Sequence, residues 1–202
     1  MGNEIQHKCF ISYHHKNDQE YKNKLVDLGK KFKIFIDYSV DTGEIDENLP
    51  SQTIRTKIRD EYLRDSTVTI LLVGTETKNR KHVDWELYSS MYDGSKNKKS
   101  GILVIQLPSS LNTSVIAPHE LEKKTVYPDY NWIPLKTRKD YNDTFPLLPD
   151  RIIDNLISED VKISVTTWNI VYNNPEILRY LIEIAHKDKI KCNYDLSRQM
   201  RG

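Results

Sequence analysis

The chain has 202 residues, 38% hydrophobic and 29% charged, enough to bury one sizeable core without disulfide or metal staples. Its formal net charge is +1, with Lys and Arg spread along the whole length, which excludes a general polybasic surface for nucleic acid or anionic membrane. Two cysteines, no signal-peptide pattern and no run of about 20 apolar residues predict a cytoplasmic protein with reduced thiols.

The first element is the run Lys8-Cys9-Phe10-Ile11-Ser12-Tyr13, which suits a strand buried on both faces and turns polar at His14-His15-Lys16-Asn17-Asp18. Asn17, with Glu20 three residues on, predicts a capped helix carrying Tyr21, Leu25, Leu28 and Phe32 on one face. A second strand is expected over Phe32–Asp37. The acidic stretch Val40–Asn48 is longer than the usual connection in α/β units and reads as a lid. Ser51 is expected to cap a helix carrying Ile54, Ile58 and Tyr62, and Val68–Val73 to form the third strand.

After Gly74 and a polar loop, a helix from His82 to Asp93, stopped by Gly94, buries Val83, Leu87 and Met91. Glu86 lies about 60° from Val83 around that helix, at the edge of the packed face. A basic turn, Lys96–Lys99, leads to a fourth strand at Ile102–Ile105. The segment Ser109–Thr144 reads as irregular apart from a short edge strand at Asn131–Pro134, and Leu147–Ile157 reads as a helix. Residues 1–161 are expected to form the domain and 162–202 a helical extension packed on it. In that extension Asn174 caps, Pro175 takes the first helical position, and Ile177, Leu178, Leu181, Ile182 and Ala185 form the apolar stripe. The last stretch, Tyr194–Arg201, has no period and either frays or folds back over an opening.

The repeated unit is strand, loop, helix, so the fold class is α/β: a flavodoxin-like parallel sheet of about five strands flanked by helices. Three closely spaced glycines after the first strand and a P-loop are both absent, which excludes the common nucleotide loops. His and Cys are too scattered for zinc, so no metal is expected. In strand order 2-1-3-4-5, ligands bind beyond the carboxyl ends of strands 1 and 3, where Ser12–Asp18 meets the start of the Glu86 helix. A carboxylate there, flanked by Phe10, Tyr13 and Trp85, suits a ring-bearing substrate that develops positive charge.

Phe10-Ile11-Ser12-Tyr13, Phe35-Ile36-Asp37 before a long loop, and Val83-Asp84-Trp85-Glu86-Leu87 resemble the Toll/interleukin-1 receptor (TIR) domain. With the tail Thr167-Trp168-Asn169 through Tyr194-Asp195-Leu196-Ser197-Arg198, the chain more closely resembles the ThsB family, the TIR-like signalling subunits of Thoeris antiphage systems. The resemblance implies cleavage of NAD, as substrate rather than cofactor, between nicotinamide and ribose. It also implies a cyclic ADP-ribose isomer that activates a separate NAD-consuming effector, a phage-derived trigger and self-association. It makes Glu86 the catalytic residue and Phe10, Ser12, Tyr13, His14, Asp37, His82 and Trp85 substrate-binding. Family members often carry Trp four residues before that Glu; here the position holds His82.

Each assignment has a structural competitor. Glu86 also fits a first-turn carboxylate favoured by the helix dipole, and Phe10 a core position. Ser12 and His14 also fit loop caps, Asp37 a turn residue and Trp85 a helix flank. Two other functions stay open: a TIR scaffold acting by assembly alone, and a nucleoside deoxyribosyltransferase-like enzyme.

Overall fold

Alternation of apolar side chains decides the architecture. In the computed structural model, which describes residues 6–39, 49–95 and 97–201, β1 (His7–Ser12) sends Cys9, Ile11 and Tyr13 into one apolar layer and Phe10 into another. The chain continues through α1 (His15–Lys31), β2 (Phe35–Asp37), α2 (Ser51–Lys57, prolonged by a π-helical turn at Ile58–Tyr62), β3 (Val68–Val73), α3 (Lys81–Met91) and β4 (Gly101–Gln106). It ends with α4 (Glu120–Val126), α5 (Arg138–Thr144), α6 (Asp150–Ile157), β5 (Ser164–Thr167), α7 (Trp168–Asn173) and α8 (Pro175–Asp188). The five strands form one sheet in the order β2-β1-β3-β4-β5, every pair parallel, so the flavodoxin-like reading holds.

Leu25 and Leu28 of α1 and Leu178, Leu181 and Ile182 of α8 pack with Ile70 and Leu103 on one face. Val83, Leu87 and Met91 of α3 and Ile152 and Ile153 of α6 pack with Leu71 and Val104 on the other. Covered on both faces, β3 and β4 are buried at every position, as parallel strands require.

Local boundaries differ where backbone chemistry overrides periodicity. The first helix begins at His15, because the His14 carbonyl already accepts from the amides of Asn17 and Asp18; Asn17 is inside the helix, not its cap. The second strand begins at Phe35 rather than Phe32, since Lys33 turns the chain in the left-handed region (φ 51°) and leaves Phe32 at 40% exposure. Pro50, not Ser51, is the N-cap of α2, and Pro149 holds back the start of α6 to Asp150. Asn131–Pro134 is not a strand; Trp132 packs its ring on Tyr127 and Tyr130, with centroids 5.9 and 4.7 Å away. The proposed lid, Val40–Asn48, lies outside the described residues.

The segment from 162 onward differs most from an added extension. It supplies β5, the fifth strand of the sheet, and α8, which covers β1, β3 and β4. The Asn174 cap and Pro175 at the first turn are as expected, the Asn174 side chain accepting from the Ile177 amide. Helix α8 lies so close to β4 that a Cβ on Gly101 would sit 2.0 Å from the Ala185 carbonyl oxygen. Gly101→Ala should therefore push α8 off the sheet and cost about 3 kcal/mol in urea unfolding. A midpoint equal to wild type would show that α8 is loosely attached.

Candidate active site

At the carboxyl ends of β1 and β3 the chain leaves to opposite faces, α1 on one side and α3 on the other, which opens the crevice expected of this strand order. Ser12, the last residue of β1, points to the α3 side. Its hydroxyl donates to the Glu86 carboxylate at 2.6 Å. Glu86 is only 8% exposed, more deeply set than the edge position its helical angle suggests. Burial pushes its pKa up to about 7, and the Ser12 hydrogen bond holds the rise back. A carboxylate poised between charged and neutral near physiological pH is what acid, base or cation-stabilising chemistry needs.

His14 is buried just beyond Ser12, and its Nδ1 has no hydrogen-bond partner among the described residues. Burial first, then the Arg80 charge, holds its pKa below the ordinary histidine value, so it is neutral at physiological pH. Nearby lies a group with no motif to mark it: Asp18, 2% exposed, with Oδ2 unpartnered. Burial raises the Asp18 pKa, and a hydrogen bond from Thr77 opposes the rise. Its carboxylate lies against Gly74, where a Cβ would fall 2.6 Å from both oxygens. Gly74 is thus the residue that admits Asp18 to the end of β3, and a polar residue in the first turn after a core strand was the only sequence signal.

The remaining expected site residues are dispersed. Tyr13 projects to the α1 face, where its hydroxyl donates to Gln19 at 2.6 Å and its ring stacks on His15. Asp37 is held by Lys22 at 3.2 Å and caps the Ser39 amide, a structural role at the end of β2. Phe10 and Trp85 are each 2% exposed and pack with Ile54, Ile58 and Leu63, so they wall the site from behind and offer no open stacking face. His82 is exposed, its ring edge-on to Trp85 at 5.0 Å. Glu86, Ser12 and His14 are the expected residues that stay together at the crevice.

Helix α3 is also gripped from behind. Arg151 of α6, fully buried, forms a two-pronged bond to Asp84 at 2.9 and 3.0 Å and donates to the carbonyls of Arg198 and Gln199. The Arg201 amide donates to Asp84 at 3.0 Å, and the Trp85 indole donates to the Arg201 carbonyl at 2.7 Å. The tail therefore folds back rather than fraying, and it fastens onto the two residues that precede Glu86.

Residues 10–112 match the family model of the Thoeris protein ThsB, TIR-like domain. The chain belongs to the ThsB TIR-like family. The match runs from the second half of β1 through β4, and with it Ser12, His14, Asp18 and Glu86. No curated protein matches the chain. Family membership makes this a Thoeris-type antiphage TIR protein. Among the described residues no helix is long and apolar enough to cross a membrane.

Proposed function

We propose that this ThsB-family protein cleaves the bond between nicotinamide and ribose in NAD and closes the ADP-ribose into a cyclic isomer, a diffusible signal that activates a separate effector. The observation that supports this reading is the buried Glu86 carboxylate, bonded to Ser12 and raised to a pKa of about 7, at the carboxyl ends of β1 and β3. Departure of neutral nicotinamide leaves positive charge on the ribose ring, as in glycoside cleavage, and a fixed carboxylate in a dry setting stabilises that charge strongly. Ser12 orients the carboxylate. His14, neutral and with an unpartnered Nδ1, is available to hydrogen-bond a ribose hydroxyl or the leaving amide. Adenine held near the ribose then competes with water as nucleophile, through effective concentration.

The scaffold reading draws on the burial of Phe10 and Trp85, which keeps both rings from stacking on such a substrate. Mass spectrometry of nucleotides from phage-infected cells separates the two. The enzyme reading expects a new cyclic ADP-ribose isomer only in cells that express the protein. Phage protection without any new nucleotide would favour the scaffold. Cleavage of deoxynucleosides in place of NAD would favour the transferase.

A further inference from the structure

The outward side of α3 carries two adjoining cavities that the Glu86 chemistry leaves unused. Tyr88 and Tyr92 follow Glu86 by two and six residues, and at about 100° per residue both turn away from it. One cavity, of about 380 Å³, is lined by Gln52, Arg55, Tyr88, Leu196, Gln199 and Met200. The other, of about 230 Å³, is lined in part by Arg55, Arg59, Asp60, Tyr92 and Ser95. Arg55 borders both.

Neither arginine makes a direct ion pair among the described residues. The Arg55 guanidinium lies 3.8 Å from the centre of the Tyr92 ring and has no salt bridge among the described residues. Arg59 is 2% exposed, and its hydrogen bonds among the described residues go to neutral oxygens, the Asn97 carbonyl at 3.2 Å and the Ser100 hydroxyl at 3.5 Å. The lining carboxylate Asp60 accepts from the Asn97 side-chain amide at 2.8 Å and makes no direct ion pair with Arg59 among the described residues. Burial holds the Arg59 pKa down to about 10; the Asp60 and Asp93 charges favour the cation but do not offset that burial, and an anion in the adjoining cavity would offset the remainder. Arg59 also sits in the π-helical turn Ile58–Tyr62, a distortion that recurs at ligand sites. In the larger cavity Tyr88 offers a ring, Leu196 and Met200 apolar contact, and Gln52 and Gln199 paired donors and acceptors, the complement of a nucleobase.

We propose that this groove is a second binding site for a nucleoside phosphate, with the phosphate on Arg55 and Arg59 and the base against Tyr88. Leu196, Gln199 and Met200 belong to the tail that grips Asp84 and Trp85, so a bound nucleotide presses on the same strap that holds the Glu86 helix. Calorimetric titration of the full chain with AMP, adenosine and inorganic phosphate tests it. Saturable AMP binding, at least tenfold tighter than either fragment, is expected. Arg55→Gln and, separately, Gln199→Ala should weaken AMP at least tenfold while melting like wild type. Glu86→Gln should bind AMP as wild type does, which separates this groove from the crevice. Absence of saturable AMP binding, phosphate binding as tight as AMP, or AMP affinity unchanged in both groove variants overturns the proposal.

Discussion

Glu86→Gln should lower production of the nucleotide signal by about a hundredfold to a thousandfold, a loss of about 3 to 4 kcal/mol of transition-state stabilisation, while making the fold more stable at neutral pH. Both effects come from removing one buried charge. The folded-state pKa of about 7 lies above the ordinary 4.5, so between those values the folded protein holds a proton that the unfolded chain has released. Stability therefore falls as pH rises from 4.5 toward 7, and above 7 the penalty is complete at about 3 kcal/mol. Gln imitates the protonated side chain and can still accept from Ser12. The variant should match wild type in urea unfolding near pH 4.5 and exceed it by about 3 kcal/mol at pH 8. A variant that is less stable than wild type at pH 8 would mean that the carboxylate is better paired than its surroundings indicate.

Arg151→Met should cost about 3 to 5 kcal/mol, a large share of the total for a domain of this size, because it strands the Asp84 carboxylate in the interior. Asp84 is 4% exposed and Arg151 fully buried, so water cannot replace the lost partner. The carbonyls of Arg198 and Gln199 lose their donor as well, and the tail should exchange its amide hydrogens faster than α3 does. Replacing both partners, with Asp84→Leu added to Arg151→Met, should recover part of the loss, since two apolar side chains leave no orphaned charge. A single variant that unfolds within about 1 kcal/mol of wild type would show that the pair contributes little beyond its neutral isosteres.

The sheet was legible because its signal is local. Val68–Val73, apolar but for Thr69, and Ile102–Ile105, wholly apolar, are runs bounded by polar turns, the pattern of a strand covered on both faces. Strand β5 was not legible: Ser164-Val165-Thr166-Thr167 is short and polar but for Val165, and it is held by pairing with β4 and by the bridge from Ile116 to Val165. Missing it made α8 look like an appendage rather than one of the helices covering the sheet. In the site, the face of a side chain follows from counting along the strand. Ser12 and Phe10 share one face and Tyr13 takes the other, so the period of two separates Tyr13 from Glu86. Lys22, which claims Asp37, and Arg151, which claims Asp84, lie 15 and 67 residues away in sequence, and no local pattern announces such partners.

In the proposed reaction the Glu86 carboxylate, in its charged form, drives loss of nicotinamide. The most direct test of that role is the pH dependence of nicotinamide release from NAD in buffered extracts of phage-infected cells holding equal amounts of wild type or Glu86→Gln. Wild-type release should rise with pH through a single limb near 7, the value to which burial moves this carboxyl, and the Gln variant should show almost no release at any pH. Release by Glu86→Gln at the wild-type rate, with the same limb, would contradict that role.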